Sequence, residues 1–579
     1  MRNPKRGKVF GSFMAVVVAV LVLSVSFSCA SSEEPASTPI PAAPAAPPAA
    51  PTALAPTPLP IFLSSPTAIA VVATPTRVLP TPTPLVTGKP VYGGTLRYAH
   101  NLDIDTLDPI FNALAGGYSA FYLFYDGLFR TEADGKVSPG LAQSWEYSAD
   151  GKTITVNLQK GVKFHDGTVL DAQAVKWNID RMLDPVQVSP RRGELQPYLD
   201  QVAVLNENTL RLQLRVPFRP LLAQLGSDRM GYLVSPAAVD KFGGGRDGAY
   251  SKNPVGTGPF RFVVWTPGER LLVTRNENYW DKGKPYLDAI VMQGVTEPSS
   301  RLAMLRTGET DLIYGIGVTG SDIPVIERSP GLKLLRREDG STYILQINPT
   351  KPPFDNKALR QALAYAVDRE GFVQVVLSGV GKPAYTFYAG GWAANFDLKP
   401  IVFDIAKAKA KLVEAGYPGQ ATIPIACRSS EIYIRICEVM QASFSRAGIN
   451  LKIDIRPAVS YSDRTQPSGF FQNPGFGSVL TSQRADPHTG LYDFAHSKGR
   501  NNPNGYKNTE VDSLIDEAST IYDVAKAKPI YDRVQSIIAE DAALIFLGYE
   551  PGLLAMSKRV QGIVPYFLSD RFEFAWLER

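Results

Sequence analysis

Histidine and cysteine are scarce in this chain: 579 residues hold four histidines and three cysteines. That excludes a small disulfide-framed domain and a multi-cysteine zinc module, and leaves little material for a metal triad or a Ser-His dyad. The sequence has no GxSxG, HExxH or GxxxxGK[ST] motif, so the commonest hydrolase, metalloprotease and nucleotide-binding signatures are missing. Charge of one sign is lacking too. With 60 basic against 55 acidic residues the net charge is +5, and the basic residues are scattered instead of forming a stripe with interleaved aromatics, which excludes nucleic acid as a partner. Hydrophobic content of 44% and charged content of 20% are those of a soluble globular protein, and the length exceeds what one hydrophobic core supports, so at least two lobes are expected.

The one long apolar run lies near the N-terminus. Arg2, Lys5, Arg6 and Lys8 precede Phe13 to Val25, which gives way to Ser26, Phe27, Ser28 and Cys29. A basic stretch, an apolar stretch and a small-residue end form an export signal spanning residues 1–29. Cys29 stands where bacterial lipoproteins carry their lipidated cysteine and Ser28 suits the position before it, while Ser26 departs from the aliphatic residue usual three places upstream. Lipidation at Cys29 is the expectation; ordinary cleavage and an uncleaved anchor are the alternatives. Residues 30–88 are rich in Pro, Ala, Thr and Ser with almost no charge. Such a segment cannot bury enough apolar surface to order itself and reads as an extended tether of about 3.1 Å per residue, holding the folded part off a membrane. The remaining cysteines, Cys427 and Cys437, are a pair that an oxidising compartment allows to join, although spacing alone does not show that they meet.

Beyond the tether the patterning is that of a mixed α/β protein. Gly93 to Ala99 alternates as a strand, Tyr118 to Phe129 has helical spacing, and Thr131 to Asn253 reads as an inserted, mainly β-sheet block with strands near Trp145 to Tyr147, Thr153 to Leu158 and Val162 to Phe164. Within it Asp171 caps a helix from Ala172 to Met182, and strands near Val202 to Leu205 and Leu210 to Leu214 form a hairpin. After Tyr343 to Asn348 helices dominate and alternate with strands at Ile423 to Cys427 and Leu451 to Ile455, as in an α/β lobe. The glycines of Asn253-Pro254-Val255-Gly256-Thr257-Gly258-Pro259 lack the third glycine of a dinucleotide fingerprint and read as a tight chain crossing. Asp103, Asp105 and Asp108 do not make a calcium loop, because Leu114 stands where its glutamate belongs. His165-Asp166-Gly167 is a turn.

Several separated segments resemble one family: GGTLRYAHNLDIDTLDP (Gly93 to Pro109), the long stretch Tyr125 to Thr168, NPVGTGPFRF (Asn253 to Phe262), RNENYWDKGKPYLDAI (Arg275 to Ile290), PFDNKALRQALAYAVDREGFVQ (Pro353 to Gln374), AKAKAKLVEAGY (Ala406 to Tyr417) and NPNGYKNTEVDSLIDEA (Asn502 to Ala518). In this order they resemble the peptide/nickel-type extracellular solute-binding proteins of ABC importers. The resemblance implies a bilobal periplasmic-binding-protein fold of type II with an extra subdomain and two lobes joined by a two-strand hinge. One lobe would combine residues 89–130, 254–340 and 548–579, the inserted subdomain would be 131–253, and the second lobe 341–547. It further implies a monomer without a cofactor, not an enzyme, that hands a peptide or peptide-like ligand to membrane permease subunits. Non-peptide ligands (a nickel chelate, an oligosaccharide, an opine) and a receptor or chaperone role on the same fold are the alternatives.

A peptide-like zwitterion needs a carboxylate for its ammonium group, a cation or backbone donors for its carboxylate, and aromatic walls. Asp486 matches the position where peptide-binding members keep an acidic residue for the ligand's amino terminus. Arg484 is the candidate for the ligand carboxylate. Trp392 and Tyr388 are the candidate aromatic walls from the second lobe, and Asn112, Gly117 and Tyr118 are candidates from the first. His488 alone is too little for a metal.

Overall fold

A computed structural model describes residues 89–579, apart from residues 103, 113–114, 133, 190, 227–229, 314–317, 319, 463–468, 470–471, 473, 482–485, 503–504 and 567–568. The expectations for the export signal, Cys29 and the tether therefore lie outside the described residues.

In chain order the strands used below are β1 (Thr95–His100), β2 (Ala142–Tyr147), β3 (Thr153–Leu158), β4 (Leu199–Asn206), β5 (Thr209–Leu214), β6 (Phe260–Thr266), β7 (Arg270–Arg275), β8 (Ala289–Gly294), β9 (Leu312–Ile313), β10 (Leu332–Ile347), β11 (Ala421–Arg428), β12 (Ile449–Arg456), β13 (Phe476–Thr481) and β14 (Leu544–Ser557). The helices used are α1 (Ala115–Phe124), α2 (Ala172–Leu183), α3 (Pro220–Leu225), α4 (Lys357–Tyr365), α5 (Arg369–Val375), α6 (Ile405–Glu414), α7 (Glu431–Ser445), α8 (Pro487–Ala495), α9 (Thr509–Thr520) and α10 (Val524–Asp541).

One eleven-stranded mixed sheet runs through the molecule in the order β12-β11-β13-β10-β14-β9-β1-β8-β7-β6, with Lys382–Pro383 pairing to β14 beside it. Its two long central strands belong to both lobes. Residues 332–337 of β10 pair with residues 552–557 of β14, and residues 341–346 pair with residues 544–550. The register breaks between Arg337 and Ser341, where one strand carries extra residues, and a bulge there bends the sheet. On one side of the break β14 pairs β9, and through β1 leads to β8, β7 and β6; on the other side β10 pairs β13. The two lobes thus share the two strands β10 and β14 as their hinge. Each lobe has its own core: Leu96, Tyr98, Phe121, Phe124, Phe260 and Ile290 in the first, and Leu345, Leu359, Leu363, Ile423, Ile436 and Phe444 in the second.

The inserted block carries a separate four-stranded antiparallel sheet, β2-β3-β5-β4, with a third core that includes Ile154, Val156, Val175, Ile179, Leu210 and Leu212. The alternation expected for a half-buried strand is clear in β3, where Ile154, Val156 and Leu158 are buried. Asp171 caps α2, its side chain accepting from the Ala174 amide at 2.7 Å. The expected strand Val162 to Phe164 is reduced to one bridge, Lys163 with Val169, around the His165-Asp166-Gly167 turn. Gly167 takes φ +90°, and Asp166 Oδ1 accepts from the Thr168 amide at 3.0 Å.

The expected bounds of the first helix change as well. Helix α1 starts earlier and stops at Phe124 instead of Phe129, because the Gly256-Thr257-Gly258 segment crosses directly over its end. The Gly258 amide donates to the Phe124 carbonyl at 2.8 Å, and a β-carbon on Gly258 would lie 2.6 Å from the Tyr125 nitrogen. The same crossing is fastened by Thr257, Tyr279 and Trp280, which donate to the buried Asp126 carboxylate at 3.0, 2.9 and 2.8 Å. Cys427 on β11 and Cys437 on α7 form a disulfide inside the second core, both fully buried. Near the C-terminus Phe572 packs on Tyr98, with ring centroids 5.7 Å apart.

Candidate ligand-binding cleft

The inserted subdomain and the second lobe meet along a surface built from aromatic side chains, a buried ion pair of Arg219 with Asp486, and a more exposed pair of Arg500 with Glu194 at 3.7 Å. Pro217-Phe218-Arg219-Pro220 leads from β5 into α3; Pro220 stands in the helix's first turn, where a missing N–H costs nothing. The Arg219 amide donates to the carbonyl of Ser519 at 2.8 Å, satisfying one of the carbonyls left open at the end of α9. Its guanidinium reaches Asp486 in a bidentate fork: Nη1 donates to Oδ2 and Nη2 to Oδ1, the latter at 3.1 Å. Nη2 also donates to the Tyr531 hydroxyl at 3.1 Å. The guanidinium carbon lies 4.8 Å from the centre of the Trp392 ring and 5.8 Å from that of Tyr531. Both partners of the pair are buried, with side chains 7% and 4% exposed.

Around this pair Tyr198 stacks on Phe218 at 3.5 Å, His488 sits edge-on to Phe218, and Tyr147 meets Tyr522 at 4.2 Å. The Trp392 amide donates to the carbonyl of Asp134 at 3.0 Å, a further link between the subdomain and the second lobe. Burial and the nearby Arg219 charge hold the His488 imidazole neutral, its pKa lowered to about 3.

Asp486 therefore lies where the second lobe meets the inserted subdomain, and its oxygens are already taken. Besides Arg219 it accepts from the His488 amide at 2.9 Å, which caps α8. Trp392 faces the same place. Tyr388 does not line it: the residue is 2% exposed, and its hydroxyl donates to the Pro487 carbonyl at 2.6 Å, fixing the start of α8 from within the second lobe. Asn112 is buried as well, donating to Asp105 at 2.7 Å and receiving Arg191 Nη2 on its carbonyl at 3.0 Å. Gly117 lies against the Asn112 side chain, so the two sit together at the start of α1. Arg484 and the Tyr118 side chain are outside the described residues. Sequence reasoning missed Arg219 and Tyr531. The signal available for Arg219 was a lone cation between two prolines, which reads equally well as a solvated loop residue.

A family model, bacterial extracellular solute-binding proteins, family 5 (middle), matches residues 136–502. The glutathione-binding protein GsiB of Pectobacterium atrosepticum is 31% identical over 457 residues, which are 77% of this chain and 86% of the relative. That of Escherichia coli K12 is 30% identical over 449 residues, 76% and 86% of the two chains. Among solved structures, the periplasmic binding protein DppA of Helicobacter pylori in complex with the peptide STSA superposes with a TM-score of 0.72 at 27% identity, covering 84% of this chain and 99% of that one. The oligopeptide-binding protein AppA of Bacillus subtilis shares the fold, with a TM-score of 0.70 at 24% identity over 85% of this chain and 100% of that one. A matched model over most of the chain, relatives spanning both lobes and a hinge of two shared strands lead to one assignment: this chain belongs to the family 5 bacterial extracellular solute-binding proteins, the substrate-capturing components of ABC importers.

Proposed function

We propose that the protein captures a peptide or peptide-like solute between its two lobes and passes it to ABC permease subunits, as a monomer that catalyses no reaction. The observation that carries the ligand class is the 31% identity, across 86% of the relative, to a glutathione-binding protein, glutathione being a tripeptide. The peptide in the Helicobacter pylori complex supports it. The absence of nucleophile-base and metal motifs from the sequence supports a role without turnover. Capture works by population shift: a solute that touches both lobes binds the closed arrangement better than the open one and draws the equilibrium toward it.

The lobes are proposed to comprise residues 89–130, 254–340 and 548–579, and residues 341–547, with residues 131–253 inserted. Trp392 supplies the aromatic wall, Asn112, Gly117 and Tyr118 present the start of α1 to the ligand, and Arg484 meets an anionic group. Tyr388 and Asp486 act indirectly, by holding α8 in place. The basic and apolar N-terminal stretch, Cys29 and the Pro-rich tether support an extracytoplasmic location with a lipid anchor.

The test is a thermal-shift screen of the purified protein against di-, tri- and oligopeptides, nickel chelates, oligosaccharides and opines. A ligand at about a hundred times its Kd adds about 2.7 kcal/mol of stability. Stabilisation by peptides supports the reading. Stabilisation by another class alone leaves a solute-binding protein and removes the peptide assignment.

A further inference from the structure

Asp486 has the surroundings of a cation site. A buried carboxylate is flanked by the Trp392 and Tyr531 rings, with the Tyr531 hydroxyl as a further acceptor. Carboxylate and aromatic faces together are what ammonium and guanidinium groups seek. Here the cation belongs to the chain. Arg219 enters from the inserted subdomain, neutralises the carboxylate through two parallel bonds and fills the space between the rings. With the His488 amide on Oδ1 as well, both oxygens are engaged, and Asp486 is 4% exposed. A ligand ammonium arriving here would have to displace a bidentate arginine, and that would leave a buried guanidinium unpaired. Among the described residues the Arg219 Nε–H is buried without a hydrogen-bond partner, a donor suited to an acceptor oxygen and not to a cation.

We propose that Arg219 is the resident cation of the Asp486, Trp392 and Tyr531 box and so a specificity-determining residue. The protein takes solutes that bring no cation to Asp486: peptides whose amino end is blocked or lies elsewhere in the cleft, and neutral or anionic solutes that offer an oxygen acceptor. This rests on the solute-binding reading above, and one arm of its test needs no solute at all.

The experiment compares wild type with Arg219→Met, a change of similar length without charge. In calorimetry with matched tripeptides, free and N-acetylated, wild type should bind both within about threefold, and Arg219→Met should favour the free amine by about tenfold or more, since Asp486 then lacks its counter-ion. In thermal melts without peptide, millimolar methylguanidinium should raise the melting temperature of Arg219→Met and leave wild type unchanged. A tenfold preference of wild type for the free amine, lost in Asp486→Asn, overturns the proposal while confirming a peptide binder. Absence of methylguanidinium rescue overturns it also. If neither peptide binds wild type, the peptide reading falls and the rescue alone decides. If Arg219→Met does not fold, Arg219→Met/Asp486→Asn replaces it. That neutral pair should bind both peptides alike and ignore methylguanidinium, and a free-amine preference in it overturns the proposal.

Discussion

Acid should destabilise this protein through its buried histidines. Burial is the main cause of the lowered pKa in each of three: His100 falls to about 3, His165 to about 4 and His488 to about 3. In the folded chain they stay neutral at pH 5, whereas in the unfolded chain, with pKa near 6.5, they are almost wholly protonated. A folded pKa below the unfolded one means that stability is fully present above about pH 6.5 and drains away as pH falls toward the folded value. Between pH 7 and 5 each imidazole removes about 2 kcal/mol, and the three together about 6 kcal/mol. Asp108 and Asp126, whose pKa values burial raises, act in the opposite direction, so proton counting in variants isolates the histidines better than total stability. His165 is the cleanest position. Its Nε2–H donates to the Gly258 carbonyl at 2.9 Å, and a glutamine places an amide N–H at a similar reach. Proton uptake on urea unfolding at pH 5, followed potentiometrically, should be about one proton smaller for His165→Gln than for wild type. Equal uptake would mean that His165 is charged when folded and would refute the reasoning.

Other changes test the frame that positions the cleft. Replacing both Cys427 and Cys437 by alanine opens a short loop, their separation being ten residues, and should cost about 3 kcal/mol in urea unfolding. Gly258→Ala drives a methyl group into the backbone at Phe124 and Tyr125, which cannot yield cheaply, so expression of soluble protein should collapse or stability fall by more than about 3 kcal/mol. Asp108 and Arg181 form a buried pair, joining the first lobe to α2. Asp108→Ala should cost about 3–5 kcal/mol by stranding the guanidinium, and Arg181→Met in the same chain should recover much of it in a double-mutant cycle.

Most individual elements were legible because their signals are local. Helix α2 runs from Ala172 to Leu183 against an expected Ala172 to Met182, and Asn356, Asp368, Asp404, Asn508 and Asp523 cap α4, α5, α6, α9 and α10 with their side chains as Asp171 caps α2. The β4–β5 hairpin was equally plain from its alternation. What depended on distant chain was not. The end of α1 is set by glycines far along the sequence, and periodicity up to Phe129 could not register them. The hinge strand β10 runs from Leu332, yet Arg336 to Ser341 is a polar stretch that reads as a boundary and not as the middle of one strand. Tyr388 read as a cleft wall, because nothing local reveals that its hydroxyl belongs to the Pro487 carbonyl. Asp486 read as the acid for a ligand's amino terminus, whereas its partner in the structure is Arg219, 267 residues away, and composition cannot pair them.

The most direct test of capture by lobe closure is a distance measurement between exposed sites on either side of the cleft, Glu207 in the inserted subdomain and Glu517 on α9, each replaced by a labelled cysteine in otherwise cysteine-intact protein. Addition of the solute that stabilises the protein should narrow the inter-label distances, by double electron-electron resonance or single-molecule fluorescence transfer, into one shorter population that returns to the starting distribution on dialysis. A distribution indifferent to that bound solute would contradict a binding protein that works by closing its two lobes.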